Sequence, residues 1–302
     1  MSPIARYRGF PALRPGDRVV VVAPAGPFDR ASFEAGIEIV ARRYRVHYDS
    51  GALTRHRYLA GSDERRLGEL TAALADTESR AVFCARGGYG MMRLLAGLDG
   101  LAFAPKPVIG FSDLTALHQL LQREHRVSIH GPTVTQLSRL DSPAHDRLFG
   151  LLEADAPAAE LSAIETYVGG VAEGPLIGGN LSVLTRLLGT PFLAHLEGAV
   201  LLLEDVGERP YRLDRMWTHL ALAGIFTQVR GIVLGGFTDC EQKDAEYSSA
   251  DVLRELARTT GLPCAAGFPI GHEAPNLPVP LGVRVRLDAT SRRLTFLESA
   301  TE

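Results

Sequence analysis

A serine, a glutamate and a histidine each stand where an apolar run gives way to a loop. These are residue types that nucleophilic acyl transfer uses. Ser112 lies in Val108-Ile109-Gly110-Phe111-Ser112-Asp113-Leu114, where a buried-strand pattern stops and a helical pattern starts. Parallel α/β sheets bind ligands at that edge. A hydroxyl there faces the cleft, and the N–H of Asp113, free at a helix start, can face a developing oxyanion. Serine before an apolar helix is equally a helix cap. The segment also departs from a G-x-S-x-G elbow, because Leu114 replaces the last glycine.

Three more segments stand out. Arg86-Gly87-Gly88-Tyr89-Gly90 follows a strand pattern, and its glycines let backbone amides approach a ligand. It lacks the Lys-Ser/Thr of a phosphate loop and the spacing of a dinucleotide fingerprint, and a tight turn explains the same glycines. Leu201-Leu202-Leu203 delivers Glu204 to a strand end, where a partly buried carboxylate needs a partner. A histidine would make it part of a triad; Arg209, Arg212 or Arg215 would make it an ion pair. His272 sits in a segment stiffened by Pro269, Pro275, Pro278 and Pro280, a good place to hold a base or simply a polar surface loop. No histidine has metal-ligand spacing such as H-E-x-x-H, so no metal is expected, and the incomplete glycine motifs give no reason to expect a nucleotide cofactor.

The elements that must position these residues alternate. Strands are expected at residues 19–23, 81–85, 107–111 and 126–130, and helices at 31–44, from 63 onward with Ser62 as cap, at 91–98 and at 114–124. That order implies a parallel sheet wrapped by helices. Residues 140–171 are rich in Ala, Pro, Asp and Glu, with one helical piece near 145–152, and read as a connection. Strands follow at 174–177, 199–203 and 231–234, helices at 181–188, 211–223 and 250–259, and a hairpin at 283–297.

At 302 residues the chain is long for one core, so one large or two smaller domains are expected. Apolar content of 46 % and charged content of 22 % argue against disorder and against a membrane protein. A net charge of −3 gives no reason to expect nucleic acid. The opening MSPIARYRGF has no long apolar core, so neither a leader nor a membrane association is expected, and a cytoplasmic location is. Cys84, Cys240 and Cys264, without paired spacing, suit a reducing compartment, and Cys84 reads as a small buried hydrophobe.

Together these segments resemble the LD-carboxypeptidase family of serine peptidases. The likeness runs from Leu13-Arg14-Pro15-Gly16-Asp17 to the C-terminal hairpin. It is carried by residues 86–90, 110–117, Gly178-Gly179-Asn180-Leu181, 204–211 with Asp214-Arg215, and Gly271-His272 followed by Asn276 and Pro280-Leu281-Gly282. The resemblance implies Ser112 as nucleophile, His272 as base and Glu204 as the acid that orients it. It implies an oxyanion hole from Asp113 with Gly87 or Gly88, and substrate contacts at Arg86, Tyr89, Asn180 and Glu208. The implied fold is α/β: an N-terminal flavodoxin-like parallel-sheet domain at 1–140, a linker at 141–172 and a smaller β-containing α/β domain at 173–302. The site would lie between the domains. The implied reaction releases D-alanine from the murein tetrapeptide in cell-wall recycling, by an enzyme that is often a homodimer. Glu208 and Asp205 are read as selecting a substrate amine.

Rival readings remain. A microcin-immunity peptidase of the same family cleaves an aspartyl-nucleotide amide and tends to carry tryptophans in its connecting loop; here Trp217 falls in a helix, and Tyr167 is the other stacking candidate. A non-catalytic two-lobed ligand-binding protein would need no convergence of Ser, Glu and His. A nucleotide-binding Rossmann enzyme lacks its glycine motif.

Overall fold

Val19 to Val22 are four consecutive buried residues with no polar alternation, as a strand covered on both faces requires. The structure, a computed structural model, describes residues 6–302; residues 1–5, which open the segment inspected for a leader, lie outside the described residues. Strands β1 (Arg18–Val22), β2 (Arg45–Tyr48), β3 (Ala81–Cys84), β4 (Val108–Gly110) and β5 (Ser128–His130) run parallel in the order β2-β1-β3-β4-β5. That is the flavodoxin-like order. Helices α1 (Arg30–Ala41), α2 (Asp63–Ala75), α3 (Leu95–Leu98) and α4 (Thr115–Arg123) form the connections. Ser62 caps α2 by accepting the Arg65 N–H at 3.3 Å, and Asp63 and Glu64 sit at the positive end of the helix. β2 was not foreseen: it is an edge strand whose exposure alternates, and its four residues include two charged or polar ones, Arg45 and His47.

Two short helices follow, α5 (Val134–Leu137) and α6 (Ser142–Glu153). The chain continues through β6 (Leu161–Ser162), β7 (Glu165–Val168), β8 (Val171–Asn180), α7 (Leu181–Arg186), β9 (Val200–Val206), α8 (Pro210–Leu222), β10 (Gly231–Thr238), α9 (Ser249–Thr260), β11 (Cys264–Ala266), β12 (Val279–Leu281), β13 (Arg284–Asp288) and β14 (Arg293–Phe296). The second sheet is eight-stranded, ordered β6-β14-β13-β8-β9-β10-β11-β7, with β8 to β11 parallel at its centre. The stretch at 141–172 therefore supplies α6 and both edges of this sheet, besides connecting. One apolar core joins the sheets: Val21, Ile109 and Ile129 of the first pack in the same cluster as Leu176, Leu202 and Val233 of the second.

β12 belongs to the other sheet. It pairs antiparallel with β5, with Val279 opposite His130 and Leu281 opposite Ser128. Sequence reading took residues 269–282 as an unpaired loop because of the prolines. Pro280 sits in an edge strand, where a missing N–H breaks no ladder. All three cysteines are free and buried, and no helix among the described residues is long and apolar enough to cross a membrane.

Leu281 is fully buried in the shared core. Leu281→Ala is expected to lower stability by about 2–5 kcal/mol in urea unfolding, since it opens a cavity where a C-terminal strand completes the N-terminal sheet.

Candidate active site

Ser112 comes two residues after the end of β4, with φ +64°, a left-handed backbone that L-residues avoid. The short turn it opens is preceded by Phe111 and has no side-chain cap. The capping reading of Ser112 thus fails, and the hydroxyl turns elsewhere. Its Oγ lies 3.2 Å from Nε2 of His272, and Nδ1 of the same ring lies 2.7 Å from Oε2 of Glu204. Between the two partners open to Glu204, the structure selects the histidine; Arg212 pairs with Glu208 at 3.4 Å instead. Because a carboxylate only accepts, Nδ1 carries the proton facing Glu204 and Nε2 offers its lone pair to the serine hydroxyl.

Burial sharpens this relay. Glu204 is completely buried within β9, two residues before the strand ends, and its other oxygen, Oε1, has no hydrogen-bond partner among the described residues. A buried carboxylate with one partner fixes that partner's orientation. Two glycines make room. A Cβ on Gly271, whose φ is +126°, would lie 2.8 Å from Glu204 Oε2. A Cβ on Gly87 would lie 2.9 Å from Ser112 Cβ and 3.2 Å from its Oγ.

The glycine loop is clamped from both sides. The Asp113 carboxylate accepts the Met91 N–H at 2.8 Å, and buried Arg66 donates to Gly90 O at 2.9 Å and to Pro24 O. Burial pushes the Asp113 carboxyl up from its ordinary value. Its side chain is engaged in structure while its N–H, like those of Gly87 and Gly88, has no acceptor among the described residues. Below the serine, His118 of α4 donates from Nε2 to Gly110 O at 2.7 Å and takes Ser128 Oγ–H at 2.9 Å, bracing β4 against β5. Burial pulls His118 down to about 4, so it stays neutral.

The histidine segment is tied to the first sheet. Asn276, fully buried, accepts the Gly271 N–H at 3.0 Å and donates to Gln136 Oε1 at 2.9 Å. Pro278 O accepts Arg147 Nε at 2.8 Å, just before β12 joins β5. Asn276 carries no assigned role in the sequence pattern, and nothing local in the sequence singles out His118. Gln136 follows the C-terminal end of β5, where ligands gather in such sheets, and that position was a usable signal.

Ser112 and His272 open into a cavity of about 590 Å³ whose lining includes Arg86, Gly87, Gly88, Phe111, Gln136 and Arg139. Not every anticipated contact reaches it. Asn180 is buried and caps α7 through its Oδ1, while its Nδ2 donates to Asp205 at 2.9 Å; this corrects its reading as a substrate contact. Asp205 also accepts Ser182 N–H and Val206 N–H, so it is not free to select an amine. Glu208 faces Arg212, and Tyr89 packs exposed beside Tyr58 with ring centroids 5.8 Å apart; neither lines the cavity.

The N-terminal domain of the LD-carboxypeptidase family matches residues 19–131, and its C-terminal domain matches residues 173–287. The chain belongs to the LD-carboxypeptidase family. It is a serine-type carboxypeptidase. It is 36 % identical to a probable murein peptide carboxypeptidase of Bacillus subtilis, over 95 % of this chain and 93 % of that protein. It is 35 % identical to the murein tetrapeptide carboxypeptidase of Pseudomonas aeruginosa, over 91 % and 94 %. Among solved structures, the muramoyltetrapeptide carboxypeptidase of Oxalobacter formigenes superposes with a TM-score of 0.83 at 27 % identity, covering 92 % of this chain and 97 % of that one. MccF, in complex with glutamyl sulfamoyl guanosine, shares the fold with a TM-score of 0.86 at 20 % identity, covering 97 % and 99 %.

Gly87→Ala is expected to push Ser112 off its partner and lower kcat about 10²-fold or more, with a thermal midpoint close to wild type; steady-state kinetics and a melting curve separate the two effects. Burial pushes the Asp205 carboxyl from 3.8 up to about 6, against the N–H donors that pull it down. A raised carboxyl stabilises the fold below its unfolded value and loses that contribution as pH rises through the folded one. Asp205→Asn is expected to flatten the fall in stability between pH 4 and 6, read by urea unfolding across that window.

Proposed function

We propose that this carboxypeptidase releases the terminal D-alanine of the murein tetrapeptide L-Ala-γ-D-Glu-diamino acid-D-Ala, with Ser112, His272 and Glu204 as its catalytic triad. The observation that carries the reading is the unbroken relay Glu204–His272–Ser112 at 2.7 and 3.2 Å, opening into one cavity. His272 takes the Ser112 proton as Oγ attacks the scissile carbonyl. Glu204 holds the ring in the productive tautomer and stabilises the imidazolium. The unengaged N–H groups of Asp113 and of Gly87 or Gly88 receive the oxyanion. His272 then passes its proton to the leaving amine of D-alanine, and water, activated by the same ring, hydrolyses the acyl-enzyme.

A carboxypeptidase must also recognise a free C-terminal carboxylate. Arg86 lines the cavity, has no ion-pair partner among the described residues, and directly precedes Gly87, which abuts Ser112. A cation in the lining, beside the glycine that abuts the nucleophile, suits the leaving carboxylate. The names of the murein-peptide relatives support the substrate class. Trp217 and Tyr167, weighed for stacking on a nucleotide base, lie buried in the second sheet's core and not in the cavity lining. Cytoplasmic placement and a homodimer belong to the same reading.

Incubation with L-Ala-γ-D-Glu-meso-diaminopimelate-D-Ala is expected to release D-alanine, followed by mass spectrometry. Ser112→Ala and His272→Ala should each cost about 10⁴- to 10⁶-fold in kcat, and Glu204→Gln about 10²- to 10⁴-fold. No release by the wild type, with cleavage of an aspartyl-nucleotide amide, would overturn the substrate and retain the triad.

A further inference from the structure

The cavity that holds Ser112 has an unbalanced charge. Its lining carries two guanidiniums, Arg86 and Arg139, and one carboxylate, Asp29. Asp29 already accepts the Ser32 N–H at 2.8 Å and its hydroxyl at 2.9 Å, as the cap of α1. Those bonds, together with the nearby charge of Arg139, hold its pKa below the ordinary carboxylate value, so it stays ionised. Arg86 donates to the Pro27 carbonyl, which leaves its charge unneutralised. The Arg139 side chain has neither a hydrogen-bond partner nor an ion pair among the described residues, whereas Arg43, Arg66, Arg93, Arg123 and Arg254 each meet a carboxylate. A net positive cavity in a chain of net charge −3 favours an acidic ligand.

Arg139 is also rigidly based. Its N–H donates to Gln136 O at 2.9 Å at the end of α5, and α5 sits hard against α1, where a Cβ on Gly36 would fall 1.9 Å from Val134 O. The same turn holds Gln136, which bonds the Asn276 clamp on the histidine segment. From that fixed backbone position the guanidinium presents a planar, two-pronged donor set that matches a carboxylate.

We infer that Arg139 forms a second carboxylate subsite, on the acyl side of the scissile bond, and so determines specificity for peptides carrying a free acid there. The inference rests on the tetrapeptide reading. In that peptide the glutamyl residue is joined through its γ-carboxyl, which leaves its α-carboxylate free one residue upstream of the diamino acid. The substrate thus has an acid on each side of the bond that breaks, and the cavity has one guanidinium in the glycine loop and another on α5. Arg86, next to Gly87, takes the leaving carboxylate, and Arg139 takes the glutamyl one.

The test compares two synthetic tetrapeptides, one with the glutamyl α-carboxylate and one with its α-carboxamide, on wild type, Arg139→Ala and Arg139→Lys. The wild type is expected to favour the acid by about 10- to 100-fold in kcat/KM, mostly through KM. Arg139→Ala should lose that preference by slowing on the acid alone, and Arg139→Lys should keep part of it. Melting curves should be unchanged, since the side chain is exposed. Equal discrimination by wild type and Arg139→Ala, or none by the wild type, would overturn the subsite while leaving the carboxypeptidase reading intact. Cleavage of neither peptide by the wild type would sink the tetrapeptide reading and the subsite with it.

Discussion

The contact between buried Glu204 and His272 is the constraint on which the rest of the site depends. A carboxylate removed from water within a central strand is costly unless something meets it. Here a single ring nitrogen at 2.7 Å does so, and the second oxygen has no partner among the described residues. That arrangement holds the ring in one orientation. It also dictates which nitrogen faces Ser112. The glycine at 271 and the strained backbone at Ser112 follow from the same demand, because both let main chain come close enough for the three groups to meet.

The two halves of the chain are less separate than a two-domain description suggests. Glu204 rides on the second sheet, but the histidine segment is fastened to the first through Asn276–Gln136, Arg147–Pro278 and the pairing of β12 with β5. Nucleophile and base therefore share a frame, and the acid is brought to them across a core common to both sheets. Asn276 with Gln136, and Pro278 with Arg147, are bonded across this seam, which ties the alignment of the catalytic groups to the packing of the whole molecule.

Charge is divided by the same logic. Acidic groups near the relay are consumed internally: Asp205 by three N–H donors, Asp113 by the loop it anchors, Glu208 by Arg212. The two cations in the cavity form no ion pair among the described residues and outnumber its one carboxylate, Asp29. The anticipated selection of an amine by carboxylates thus gives way to a site whose unpaired charges are positive, suited to the acids a peptide brings.

Much of this was legible in the residues. The parallel alternation of strands and helices, the strand ends that carry Ser112 and Glu204, and the glycine loop all appear because local periodicity and turn chemistry are written in short stretches of chain. For each chemical residue, however, the local reading left a tie: Ser112 as cap or nucleophile, Glu204 in an ion pair or a triad. Those ties are broken by partners 68 and 160 positions away, at which no local pattern can point. The same holds for β12, whose prolines disguise a strand until a neighbour supplies its ladder, and for Asn180, which the resemblance casts as a substrate contact and whose hydrogen bonds make it a helix cap. What the sequence determined alone was which side chains stand at the ends of which elements; which of them touch was decided only by the tertiary structure, because contact across a shared core depends on how two sheets pack, and that is a property of the whole chain.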